Sequence, residues 1–349
     1  MVVVTLNLDF SRTLNAKERR AFGSRAGRLS GPFGASAAAA TSKMNKEFPL
    51  GGPLRVRTWF VALDQPVNAD EVSDRSAPDR RLRPSATRIS SSQGATLRLY
   101  LTALAVAQAI TKPGKRAHLP DMPIAEFGGE KTGWTDLVAT GAVVSGKGAT
   151  ASMVRDKKAR SVRTSLDTLS DAKLVQLTGP EGRRGRHGGF MLLHEGGAQL
   201  DGDAHPYSVP AADDASVFEL PPGFITNGWV HVLEDSEIAV LLMVASGHGS
   251  LYAGNNEAFD LQPGEVAIPA WARLRHFGIH RDPFSTARKT LEWFGLLDVR
   301  EVRRHDDGRA ENDDERLHRL TLNTDGFGVP ALKQVRQVIA AQLDRTALT

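Results

Sequence analysis

Between positions 265 and 322 the apolar residues change period in a definite order. Glu265, Val266, Ala267 and Ile268 read as a short strand. Trp271, Leu274 and Phe277 then recur at helical spacing and stop at Gly278, a residue suited to helix C-termini. A second helix is predicted with Asp282 as N-cap and Pro283 as its first residue. Its apolar face is Phe284, Ala287, Leu291 and Phe294, and Gly295 ends it. Residues 296–299 run extended, and 317–322 alternate as a returning strand.

The same grammar is found earlier in the chain. Residues 94–110 form an apolar helix closed by Lys112, Pro113 and Gly114, with Leu97, Leu101 and Leu104 inside it. Residues 156–169 predict a helix with Val162, Leu166 and Leu169 on one face. Strands at 173–177 and 190–193 follow, around a Gly-rich loop. Leu169 leading into Leu174 thus matches Leu291 leading into Leu296, at an offset of 122 residues. Residues 235–245 predict an apolar helix, and 329–343 an amphipathic one striped by Leu332, Val335, Ile339 and Leu343. Residues 1–8 and 54–63 read as strands. Residues 11–43 are rich in Arg, Ala, Gly and Ser without a continuous apolar face, which predicts a disordered basic arm. Residues 64–92, polar and carrying Pro66, Pro78 and Pro84, predict a linker or long exposed loop.

Helix, turn, helix and a long-looped hairpin resembles the winged helix-turn-helix of regulators and initiators, in which the second helix enters the major groove. Two such units, the first basic, resemble plasmid replication initiators of the tandem winged-helix kind. The resemblance covers roughly residues 90–325 and rests on element order. It implies an α+β chain: 1–89 a basic arm, short strand and linker, partly disordered; 90–197 a first, basic winged helix; 198–218 an acidic linker; 219–325 a second, acidic winged helix; and 326–349 a C-terminal helix. In that family one domain binds origin repeats, and the other helps dimerise or touches the second half of each repeat.

Charge sharpens this picture. Residues 1–89 carry 15 Lys/Arg against 8 Asp/Glu, and residues 90–200 carry 15 against 9. Residues 215–325 reverse the balance, 11 against 18. A basic half suggests a polyanionic partner. The absence of cysteine excludes disulfide frameworks, Cys-based zinc fingers and thiol catalysis. Apolar runs are too short to span a membrane and no export signal opens the chain, so a cytoplasmic, nucleoid- or plasmid-associated protein is expected.

Candidate contacts follow from the motif. In the first unit Lys157, Lys158, Arg160, Arg163 and Thr164 occupy the predicted recognition helix, and Arg183, Arg184, Arg186 and His187 its wing. In the second unit Arg281, Ser285, Arg288 and Lys289 suit phosphate and guanine contacts. Its wing holds Asp306, Asp307, Glu311, Asp313, Asp314 and Glu315, which would repel phosphate and suit a protein partner. Gly141 to Lys147 approaches a phosphate-binding loop, but Gly148 replaces the metal-binding hydroxyl. The histidines are scattered, with no paired metal-ligand spacing. The expectation is therefore a non-enzymatic protein with no cofactor and no metal. It binds double-stranded DNA as a homodimer and initiates replication; a transcriptional regulator and a partition or nucleoid adaptor are the alternatives.

Overall fold

The structure, a computed structural model, describes residues 14–73, 76–90, 95–126, 131–141, 151–183, 185–199, 205–247, 261–300 and 318–345. Along them run α1 (Ala16–Ser30), α2 (Pro32–Glu47), β1 (Leu54–Arg57), α3 (Ser85–Ile89), α4 (Thr96–Ile110), α5 (Trp134–Leu137) and α6 (Ala151–Asp171). There follow β2 (Val175–Leu177), β3 (Phe190–Leu192), β4 (Val217–Leu220), α7 (Gly223–Thr226), α8 (Trp229–Val232) and α9 (Asp235–Ser246). The last elements are β5 (Glu265–Ala267), α10 (Ala270–Arg275), α11 (Arg281–Trp293), β6 (Leu297–Arg300), β7 (Arg319–Leu322) and α12 (Ala331–Arg345). The class is mixed α+β. Among the described residues no helix is long and apolar enough to cross a membrane. The expected strand at 1–8 lies outside the described residues.

Two compact units emerge, and each gathers distant segments. The larger takes residues 10–57, 89–235 and 327–349; the smaller takes 58–88 and 236–326, together with 1–9. β4, α7 and α8, expected within a second domain starting at 219, therefore belong to the larger unit, and so does α12.

In the larger unit α4 is buried from Thr96 through Ala107 and packs against α6, α8 and β1. α6 turns Ala159, Val162, Leu166 and Leu169 inward. Each such aliphatic side chain contributes about 1.5–3 kcal/mol when fully buried. β1 pairs antiparallel with β4, Leu54 opposite Leu220, a long-range ladder that no local period reveals. β2 and β3 form the hairpin expected after α6.

The basic arm is corrected. Residues 16–30 and 32–47 are helical, not disordered. The Asn15 side chain accepts hydrogen bonds from the backbone N–H groups of Lys17 and Glu18, while Glu18 accepts from the Asn15 N–H, a complete capping box. α1 buries Phe22 and Leu29, and α2 buries Phe33, Ala37, Ala40 and Met44. A Cβ at Gly34 would stand 1.7 Å from the Leu29 carbonyl oxygen, so only glycine permits this approach. The large buried apolar side chains are sparse, Phe22 and Leu29 seven residues apart on α1 and Phe33 and Met44 on α2 with only small buried residues between, so the periodic signal is weak.

α12 also packs inward. Val335 and Ile339 are buried, and the helix contacts α1, α8 and α2. Of the predicted stripe, Val335 and Ile339 are covered by the chain's own unit, while Leu332 and Leu343 are half-buried.

The smaller unit contains a three-stranded antiparallel sheet in the order β5-β7-β6, with α10 and α11 between its first and second strands in sequence. Gly278 (φ 67°) turns the chain between the two helices, and Gly295 (φ 75°) turns it from α11 toward β6. The segment expected as a linker is built onto this unit. Leu63 N–H bonds to the His276 carbonyl at 2.9 Å, Val67 N–H to the Arg275 carbonyl at 3.0 Å, and the Thr87 hydroxyl to the Phe277 carbonyl at 2.9 Å. Trp271, expected on the apolar face, stands 50% exposed in the first turn of α10, while Leu274 and Phe277 are buried.

Two stability predictions follow from buried charge in the larger unit. Glu195 is fully buried against Arg57, so Glu195→Ala is expected to cost about 3–5 kcal/mol by stranding a buried guanidinium. The double change Arg57→Met with Glu195→Leu should recover most of that loss in urea unfolding. An additive double variant would show that the pair is not coupled.

His231, 1% exposed in α8, has its imidazole pKa lowered to about 3, first by burial and then by Arg98. His194 is lowered to about 4, by burial and then by Arg57 and His205. Below the ordinary histidine pKa the unfolded chain takes up protons that the folded chain refuses, so acid favours unfolding. Stability should fall as pH drops from about 6.5 toward 4. The slope approaches about 1.4 kcal/mol per pH unit for each histidine involved. Urea titrations of His231→Gln should be flatter over this window, and an unchanged slope would remove His231 from the account.

Candidate nucleic-acid interface

α6 divides cleanly into two faces. Ala159, Val162, Ser165, Leu166 and Leu169 point into the larger unit, while Lys157, Arg160, Arg163 and Thr164 are exposed. The 3.6-residue period does this directly, because 157, 160 and 164 lie on one stripe and 163 beside it. Lys158 is half-buried, its Nζ 3.4 Å from the Ser36 hydroxyl on α2, and so leans off the exposed stripe.

The hairpin loop is held against this helix. Gly182 (φ 72°) and Gly185 (φ 91°) supply left-handed turns, and a Cβ at Gly179 would come within 2.5 Å of the Arg186 Cα. The Asp167 carboxylate, on α6, receives the Arg186 guanidinium at 3.3 Å and the His187 Nε2 at 2.9 Å. Arg186 also meets Glu181 at 3.4 Å. Arg186 and His187 are therefore occupied in docking the loop, and Arg183 is the exposed cation beside them. Arg184 lies outside the described residues. Asp167 was missing from the sequence candidates. Its signal was a carboxylate one turn after Arg163 on the same face.

In the smaller unit the candidates separate. Arg281 is exposed at the start of α11, and Ser285 and Lys289 are half-buried. Arg288 is 5% exposed. It lies three residues before Leu291 and four after Phe284, within the width of the apolar stripe, so it serves the interior rather than a contact surface. Arg273 is also buried, its guanidinium 4.7 Å above the Phe284 ring and its Nε donating to the Ile279 carbonyl at 3.2 Å. The carboxylate-rich second wing lies outside the described residues, as do positions 142–148 of the phosphate-loop-like stretch. Among the described residues no group of three or more metal-ligating side chains gathers.

Asp167→Asn should loosen the loop without unfolding the unit. Both partners are partly solvated, so the loss of global stability should stay within about 1 kcal/mol. Amide exchange over 178–189 should rise while exchange in α4 is unchanged. Equal protection in the variant would show that the carboxylate does not dock the loop.

No protein-family model, curated protein or solved structure matches the chain.

Proposed function

We propose that the chain binds double-stranded DNA in a sequence-specific manner, with α6 as the helix that enters the major groove and the β2–β3 loop as its wing. The observation that carries the reading is the exposed stripe Lys157, Arg160, Arg163 and Thr164 beside Arg183. Guanidinium and hydroxyl groups on one helix face match the donors and acceptors of base edges, and the wing cation matches phosphate. The smaller unit supports the same reading through its order: helix, strand, two helices, then a hairpin. Its strands pair in the order β5-β7-β6. The biological role that a tandem arrangement suits best is initiation of replication on a plasmid-type origin.

The test uses the full chain and fluorescence anisotropy on a library of duplexes over a range of salt. Binding should weaken steeply as salt rises, since phosphate contacts release counterions. Arg163→Ala should cost about 1–3 kcal/mol on preferred duplexes and little on others. Arg183→Ala should weaken all duplexes nearly alike. No binding at low salt would overturn the proposal, and a uniform loss in Arg163→Ala would displace α6 from the groove.

A further inference from the structure

The strap of residues 58–88 carries the densest arginine group among the described residues of the smaller unit. From Arg80 to Arg88 it holds four arginines and no carboxylate. The strap is fixed to the corner between α10 and α11. The Arg83 side chain lies so close over Gly278 that a Cβ there would meet Arg83 Cγ at 2.9 Å, and Thr87 bonds to the Phe277 carbonyl. The nearby surface adds Arg275, whose guanidinium bonds to the Val67 carbonyl, and the exposed Arg281.

What these guanidiniums bond to is informative. Arg80 donates to the Arg88 carbonyl, Arg88 to the Arg81 carbonyl, and Arg83 to the Pro78 carbonyl at 2.8 Å. Among the described residues no carboxylate lies within ion-pair distance of any of the four. Asp79, the nearest acid in sequence, is spent capping the Arg81 N–H at 2.8 Å. Arg83 and Arg88 are half-buried, and burial holds both below the usual arginine range. Backbone carbonyls orient Arg80, Arg83 and Arg88, Asp79 offsets part of the charge at Arg83, and the group stays strongly cationic in sum. The guanidiniums of Arg80, Arg83 and Arg88 each use one of five donors on a carbonyl, and Arg81 is exposed, so donors remain for an external anion.

We infer that Arg80, Arg81, Arg83 and Arg88 form a second nucleic-acid contact, a phosphate-backbone clamp beside the turn that leads into α11. The inference rests on the DNA-binding reading and adds its partner chemistry: consecutive phosphates of a duplex, read without base specificity. Four arginines spread along one strap suit a repeating anion better than a single small one, because the charges follow the chain. The clamp also gives the smaller unit a phosphate-facing surface that its buried Arg288 does not supply.

The experiment compares wild-type full chain with Arg80→Ala/Arg81→Ala, Arg80→Lys/Arg81→Lys and Arg163→Ala. Each is titrated with a fixed duplex of preferred sequence and with an unrelated one, between 50 and 300 mM salt, roughly the range over which counterion release is read. Circular dichroism melts check folding. The alanine pair should lower the slope of log affinity against log salt by about 2 on both duplexes. The lysine pair should keep that slope, since the positive charge remains. An unchanged slope in the alanine pair, with Arg163→Ala still impaired, overturns the clamp and leaves the α6 reading intact. An equal loss in the alanine and lysine pairs also overturns it, because the arginines would then be structural. No duplex binding by wild type overturns both readings together.

Discussion

The Arg57–Glu195 pair is the constraint around which the larger unit is arranged. The Glu195 carboxylate is fully buried, and burial pushes its pKa upward while Arg57 opposes the shift. The pair is coherent only because every face of it is bonded. One carboxylate oxygen accepts the Arg57 backbone N–H at 3.1 Å, and the other meets the guanidinium. The guanidinium in turn donates to the Ser208 carbonyl and hydroxyl, at 3.0 and 3.2 Å, and lies 5.7 Å from the Tyr207 ring centre. Tyr207 then receives a hydrogen bond from Gln108, which also bonds the backbone of Arg55. One buried network thus joins β1, α4, the segment after β3 and the edge at 207–208. A carboxylate in such a place contributes little net stability but forbids other registers, because any misplacement strands a charge.

That network also positions the proposed interface. β3 ends three residues before Glu195, and β2 and β3 are the hairpin whose loop docks on α6 through Asp167. α6 itself packs on α4. The exposed stripe of α6 and the wing are therefore held from both sides by elements tied to the same ion pair. A rigid scaffold beneath surface cations lowers the ordering cost of a contact, since fewer groups must be fixed on binding.

Much of the local structure was legible in the sequence, and little of the long-range assembly was. α4, α6, α9 and α11 were read from their period, within a few residues of their ends, because each has a wide apolar face and a clear stop. The hairpins after α6 and α11 were read from alternation. α1 and α2 were missed because their large buried apolar side chains are sparse, Phe22 and Leu29 on one and Phe33 and Met44 on the other. The strap was missed because it is fixed by hydrogen bonds from the Leu63 and Val67 N–H groups and the Thr87 hydroxyl to the backbone carbonyls of His276, Arg275 and Phe277, which leave no apolar pattern. The β1–β4 ladder joins segments far apart in sequence, and no window contains both. Arg288 shows the opposite failure: a charged residue was assigned to the surface by type, although its position beside Leu291 placed it inside. The division into a basic half and an acidic half likewise described the chain and not the fold. The strap carries arginines from the first part of the sequence onto the unit formed mostly by the last part.

The exposed stripe of α6 shows how far a helix can balance its own surface charge. Lys157, Arg160 and Arg163 succeed one another at three-residue spacing, and like charges at that spacing destabilise a helix by about 0.2–0.5 kcal/mol per pair. A helix under selection for stability alone would place acids among them. Asp156 stands four residues before Arg160 and Asp167 four after Arg163, on the same side of the helix, and Asp167 is also engaged by Arg186 and His187 from the loop. The like-charge spacing is therefore offset in part by acids at four-residue spacing, and the stripe is basic only in sum.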